Sequence, residues 1–160
     1  MINIYGLNKT TLLDYPGYVA ATVFLGGCNF RCPFCHNSSL VLNPSSIPTI
    51  PINDFWDFLN RRKNIITGVC ISGGEPTLYD DLTDFITQIR SYNLKAKLDT
   101  NGYHPDVLEH LIENNLLDMV SMDIKGSKSM YPIISGVSSI AFFVLVYYGY
   151  IYLLVFFKSR

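Results

Sequence analysis

The chain has 160 residues, room for one domain, and its 12 Lys and Arg against 13 Asp and Glu leave a net charge of −1. That balance argues against a nucleic-acid-binding surface, and 49% hydrophobic residues with 16% charged exclude a disordered chain. The average hides a break: Tyr131 to Phe157 contains no Asp, Glu, Lys or Arg, whereas residues 1–130 have an ordinary soluble mixture.

The start of the chain, Met1-Ile2-Asn3-Ile4-Tyr5-Gly6, has no basic stretch followed by an apolar run, so a secretory signal is not expected and the protein reads as cytoplasmic. Val19 to Leu25 is a continuous apolar run that ends at Gly26-Gly27, the pattern of a buried parallel strand. A cysteine-containing loop follows, then a Pro/Ser-rich connector from Asn43 to Pro51. A helix is predicted from about Asp54, with Asn53 as its cap and Phe55, Phe58 and Leu59 on one face. Its basic end, Arg61-Arg62-Lys63, reads as solvated.

Ile65 to Ser72 predicts a second strand, also closed by a glycine pair, in which Cys70 reads as a small buried hydrophobe. Leu82, Phe85, Ile86 and Ile89 recur at helical spacing. Lys95 to Asp99 alternates as a third strand, and Pro105 opens a third helix carrying Val107, Leu108, Leu111 and Ile112. His104 and His110, in or beside that helix, read as surface residues. Asp118 to Asp123 is the fourth strand. The order β-α-β-α-β-α-β implies a parallel sheet, open or part of a barrel.

Each predicted strand ends in a cluster of glycine and polar residues: Gly26 to Asn37, Ser72 to Pro76, Asp99 to Gly102, and Asp123 to Lys125. Sites in α/β folds assemble at the C-terminal ends of strands, so the four clusters point to one composite site. Cys28, Cys32 and Cys35 form a C-x3-C-x2-C pattern. Three thiolates at this spacing can hold three corners of a [4Fe–4S] cluster and leave one iron open. The alternatives are a structural zinc site with His36 as fourth ligand and a redox pair formed by Cys32 and Cys35.

The cysteine pattern, with Phe34 before the last cysteine, resembles the radical S-adenosylmethionine (SAM) superfamily. Ser72-Gly73-Gly74-Glu75-Pro76 is similar to that superfamily's GGEP motif. Asp99-Thr100-Asn101-Gly102 and Asp123-Ile124-Lys125 resemble the next two strand ends in activases of glycyl radical enzymes. Leu13-Asp14-Tyr15-Pro16-Gly17 and the Cys35-His36-Asn37 ending resemble activating proteins of anaerobic ribonucleoside-triphosphate reductases.

The resemblance implies a partial (βα) barrel over residues 1–130, with about four parallel strands, that binds a [4Fe–4S] cluster and SAM. It implies reductive cleavage of SAM to a 5′-deoxyadenosyl radical that abstracts a glycine Cα hydrogen. The partner would be a glycyl radical enzyme, with anaerobic ribonucleotide reductase favoured, and the electron donor a flavodoxin or ferredoxin. Cys28, Cys32 and Cys35 would hold the cluster. Phe34, Gly73, Gly74, Glu75, Pro76, Asp99, Asn101 and Lys125 would contact SAM, with Phe34 against the adenine and Glu75 near the ammonium. Asp99, Thr100 and Asp123 form an oxygen-rich set for a monovalent cation, such as the pyruvate formate-lyase activase branch carries. Competing readings are a radical SAM enzyme for a small molecule or modified nucleobase, a non-enzymatic zinc module, and an inactive remnant.

Tyr131, Ile134, Ser135 and Gly136 continue the resemblance, which then stops, short of the usual six βα units. The segment 131–160 is an apolar, aromatic tail with three readings: an out-of-frame end, a membrane segment, or buried strands. Ile133 to Phe157 gives 25 residues without charge. That is long enough for a roughly 30 Å hydrocarbon core.

Overall fold

Alternation along the strands decides which side chains meet the helices. Ala21, Val23 and Leu25, Val69 and Ile71, and Ala96 and Leu98 all join one apolar core. The residues between them (Thr22, Cys70 and Lys97) point to the other face, because successive strand side chains take opposite sides. In the computed structural model, which describes residues 1–127 and 129–137, these strands form one sheet of five in the order β1-β2-β3-β4-β5. They are β1 (Ile4–Thr11), β2 (Ala20–Leu25), β3 (Gly68–Gly73), β4 (Lys95–Thr100) and β5 (Met119–Met122).

β2 to β5 are parallel, as the βα alternation predicts, while β1 pairs antiparallel with β2. β1 was not foreseen. Only its end residues Ile4 and Thr11 are buried, so it lacks the apolar run that marks the inner strands, as suits an edge position.

The helices are α1 (Ser38–Leu42), α2 (Ile52–Arg62), α3 (Leu82–Ser91), α4 (Pro105–Glu113) and α5 (Tyr131–Ser135). α2, α3 and α4 are the crossovers between the parallel strands. Phe55 and Leu59 of α2, Phe85, Ile86 and Ile89 of α3, and Leu108 and Leu111 of α4 cover the apolar face. α2 starts two residues before the expected Asp54. Pro51 occupies the cap position at φ −55 and Asn53 lies inside the first turn, so the ring's fixed φ, rather than an asparagine cap, sets the start. β3 begins later than expected because Ile65 and Ile66 donate their amides to the Arg62 carbonyl and finish the preceding helix.

α5 is one short turn, closed by Gly136 in the left-handed region at φ +72. Of the expected tail, 131–160, the described part holds α5 and Gly136, and residues 138–160 lie outside the described residues. Among the described residues, no helix is long and apolar enough to cross a membrane.

Candidate active site

A cavity of about 640 Å³ opens at the C-terminal ends of β2 to β5. All four clusters singled out in the sequence contribute to its wall, including Cys28, Cys32 and Cys35, Gly73 and Gly74, Asp99 to Asn101, and Asp123 and Lys125. The volume falls within the range of ordinary ligand pockets.

The cysteine loop is fixed from below and from the side. The Gly27 amide donates to the Leu40 carbonyl at 2.8 Å, and the Arg31 amide to Ser135 of α5 at 2.8 Å. Phe30 is buried edge-on between Tyr103 and Tyr131, with ring centroids 6.0 Å from each. The three thiols are free and half-buried. Burial pushes the Cys28 thiol up, with the Phe30 amide and Asn101 side chain pulling the other way, and burial likewise raises Cys32. Phe34 is 56% exposed and lines the cavity.

The turn after β3 is packed against this loop. The Gly74 amide donates to the Leu25 carbonyl and the Glu75 amide to the Gly27 carbonyl, both at 2.8 Å. A Cβ on Gly74 would lie 1.8 Å from the Gly27 oxygen. Gly73, at φ +115, would place one 2.3 Å from the Leu25 oxygen. The glycine pair was expected to make room for a ligand; it makes room first for the neighbouring main chain. Asn37 locks the same junction, its Nδ2 donating to the Gly73 carbonyl at 2.7 Å.

Glu75 lies behind the wall of the cavity. Its carboxylate is completely buried and absent from the cavity wall. Oε1 accepts from the Thr77 amide (3.0 Å), the Thr77 hydroxyl (2.6 Å) and the Thr100 hydroxyl (2.8 Å), and Oε2 from the Asn101 amide (2.6 Å). Four donors surround it, so it ties protein loops together. Pro76 behind it opens a buried 3-10 turn, also away from the wall. Asn101 does face the cavity. Its Nδ2 donates to Asn29 Oδ1 at 2.8 Å and lies 3.7 Å from Cys28 Sγ.

The oxygen-rich set is already partnered. Asp99 Oδ1 lies 2.5 Å from Lys97 Nζ, and Asp99 Oδ2 accepts from the Cys70 thiol at 3.4 Å. Asp123 pairs with Lys125. Cys70 is buried as expected, but it has this polar partner, and burial, with Asp99 adding to it, pushes its thiol up to about 12. Lys97 went unremarked in the sequence. The available signal was its i, i+2 spacing to Asp99, which puts both on one face of β4.

His36 is exposed and His104 is half-buried beside Tyr103. Among the described residues, no three His, Cys, Asp or Glu side chains converge on the position of a single ion. Three free thiols around one cavity do suit a cluster, which takes each thiolate at a separate iron corner.

The parallel sheet thus carries a three-cysteine loop after its first parallel strand, facing a glycine-rich turn on the next. The Radical SAM superfamily profile matches residues 22–139. The chain belongs to that superfamily, whose cofactors are a [4Fe–4S] cluster and SAM.

Among curated relatives, the "Putative glycyl-radical enzyme activating enzyme" of Methanocaldococcus jannaschii is 38% identical over 125 residues, covering 76% of this chain and 50% of the relative. The pyruvate formate-lyase-activating enzyme of Clostridium pasteurianum is 29% identical over 130 residues, covering 78% of this chain and 53% of the relative. The chain thus spans about half the length of these relatives. Among solved structures, TYW1 with a lysine-pyruvate adduct superposes with a TM-score of 0.52 at 19% identity, covering 81% of this chain and 50% of that one. QueE from Escherichia coli gives a TM-score of 0.50 at 22% identity, covering 64% of this chain and 53% of that one. At those identities the two structures speak to the fold alone.

Proposed function

We propose that this protein activates a glycyl radical enzyme, with anaerobic ribonucleoside-triphosphate reductase as the favoured partner and a flavodoxin or ferredoxin as electron donor, in the cytoplasm. The observation that carries the reading is the opening of Cys28, Cys32 and Cys35 into the same cavity as the ends of β3, β4 and β5. Similarity to proteins named for glycyl-radical enzyme activation supports the choice of partner class.

In this reading the three cysteines hold the cluster and Asn101 is a hydrogen-bond donor beside Cys28. Phe34 offers an apolar face to the adenine. The Gly73 and Gly74 main chain and Lys125 meet the amino-acid end of SAM. Bound there, the cluster and SAM supply one-electron cleavage of the sulfonium and removal of a glycine Cα hydrogen. The protein's own part is to orient these groups and to limit solvent access, as is general for cofactor enzymes.

The test is anaerobic cluster reconstitution followed by EPR of the dithionite-reduced protein with and without SAM. A reduced-cluster signal that shifts on adding SAM is expected. Deuterium transfer into 5′-deoxyadenosine from a reductase labelled at glycine Cα would then establish the partner. Cluster and SAM cleavage without that transfer would redirect the search to a small-molecule substrate.

A further inference from the structure

The polar face of the sheet carries a buried cation that the cluster, SAM and the loop network leave without a task. Lys97 is 5% exposed. It sits in register with Cys70 on β3, which in turn pairs with Thr22 on β2. An ammonium taken out of water needs a paired anion, and Asp99 provides it at 2.5 Å.

The consequence for Asp99 is that both oxygens are engaged, one by Lys97 and the other by the Cys70 thiol. Thr100 donates its hydroxyl to Glu75 and accepts from the Gly102 amide at 3.0 Å. Asp123 is paired with Lys125. The three residues expected to hold a monovalent cation therefore do not fit one. Both Asp99 oxygens, the Thr100 hydroxyl and one Asp123 oxygen already face partners, and an incoming cation would meet two ammonium groups of its own sign.

Lys97, Asp99, Asp123 and Lys125 all line the cavity, and their formal charges cancel. A lysine ammonium carries three donors. Asp99 takes one and Cys70 Sγ, at 3.7 Å, faces another, which leaves a third for the cavity.

We propose that Lys97, assisted by Lys125, is a covalently tethered replacement for the monovalent cation. It holds Asp99 in place and presents positive charge to the carboxylate of the methionine moiety of SAM, so cofactor binding in this protein requires neither K⁺ nor Na⁺. The inference rests on the radical SAM reading of the cavity.

The test uses the full chain, reconstituted anaerobically. SAM affinity is measured in KCl, NaCl and tetramethylammonium chloride at matched ionic strength, with thallous ion followed by NMR as a direct probe of cation occupancy. The wild type should bind SAM equally in all three salts and show no saturable thallous-ion site. In Lys97→Met, affinity in tetramethylammonium should fall by about tenfold. KCl should restore it and a thallous-ion site should appear, because the freed Asp99 oxygen accepts an ion. A merely structural lysine would not create that salt dependence.

Wild-type SAM binding that collapses when K⁺ and Na⁺ are withdrawn would overturn the proposal while leaving the SAM site intact. SAM binding absent in every salt would overturn both. If Lys97→Met does not fold, the wild-type salt series and the thallous-ion titration decide alone.

Discussion

The Asn101 main-chain amide donates to Glu75 Oε2 at 2.6 Å, joining the end of β4 to the turn after β3 through a carboxylate with no access to solvent. Because Thr77 and Thr100 converge on the other oxygen, one side chain sets the relative height of two walls of the cavity. Removing it strands several buried donors at once, and each unsatisfied one costs about 1–3 kcal/mol.

Glu75→Ala should therefore destabilise the cluster-free protein by about 3–5 kcal/mol, near the limit for a single substitution. Glu75→Gln should fall between it and the wild type, since its amide nitrogen turns a donor toward other donors. Urea denaturation measures both. A Glu75→Gln protein of wild-type stability that has lost SAM binding would instead return Glu75 to direct contact with the cofactor.

Gly74 gives a sharper steric prediction. Its substitution by Ala drives a Cβ into the Gly27 carbonyl, a main-chain atom that cannot swing aside. The expected loss is about 3 kcal/mol, at the upper end for overpacking. Gly17→Ala, at φ +84 but with nothing within 4 Å of its Cβ, carries backbone strain without a collision and should cost less. Thermal melts of the two variants side by side would separate collision from backbone strain.

The four cysteines should divide three to one. In the cluster-free protein, iodoacetamide should modify Cys28, Cys32 and Cys35, which are half-buried, and spare Cys70, which is fully buried with its thiol pushed up to about 12. Peptide mass spectrometry reads the pattern. After reconstitution, Ser at any of the first three should abolish the reduced-cluster EPR signal, while Cys70→Ala should keep it. Loss of iron in Cys70→Ala would mean that the thiol at β3 has been misjudged.

Asp118 makes stability depend on pH. Burial by itself would raise its pKa, but Lys95, the Ala96 amide and Arg90 outweigh that and hold the carboxyl below the usual range. Oδ2 accepts from Arg90 at 2.6 Å and from the Ala96 amide at 3.0 Å, and Oδ1 from Lys95 at 2.9 Å. A depressed folded-state pKa means the stabilisation is present above the unfolded value near 3.9 and fades as pH falls through the folded one. Asp118→Asn should cost about 1–2 kcal/mol at neutral pH and progressively less under strong acid. Urea midpoints for both proteins at about pH 7 and about pH 3 check the sign; an equal difference at both would remove the charge from the account.

The parallel strands and their crossover helices were legible because burial writes a period into the sequence, as at Leu82, Phe85, Ile86 and Ile89 of α3. The positions of the site loops followed from the same pattern, since glycine and polar residues interrupt each strand at its C-terminal end. β1 escaped notice because an edge strand with two buried residues leaves almost no periodic trace. The surroundings of Glu75 were not legible for a different reason. A motif tells which residue types gather at a turn, but whether a carboxylate looks into a cavity or back into the protein depends on donors such as Thr100 and Asn101, which arrive from a distant strand. Lys97 was overlooked because a charged residue on an alternating strand ordinarily faces water.

The contact between the Gly74 main chain and the Gly27 carbonyl bears on protein engineering. The cysteine loop is not a portable cassette. Its backbone fills the space left by a missing side chain on the neighbouring strand, and that turn is held in place by the end of the strand beyond. A designer wishing to move this loop into another parallel sheet would have to transplant three consecutive strand ends together. Conversely, insertions that lengthen any one of the three would be felt by the other two, so length variation should be tolerated on the helix side of the sheet and not here.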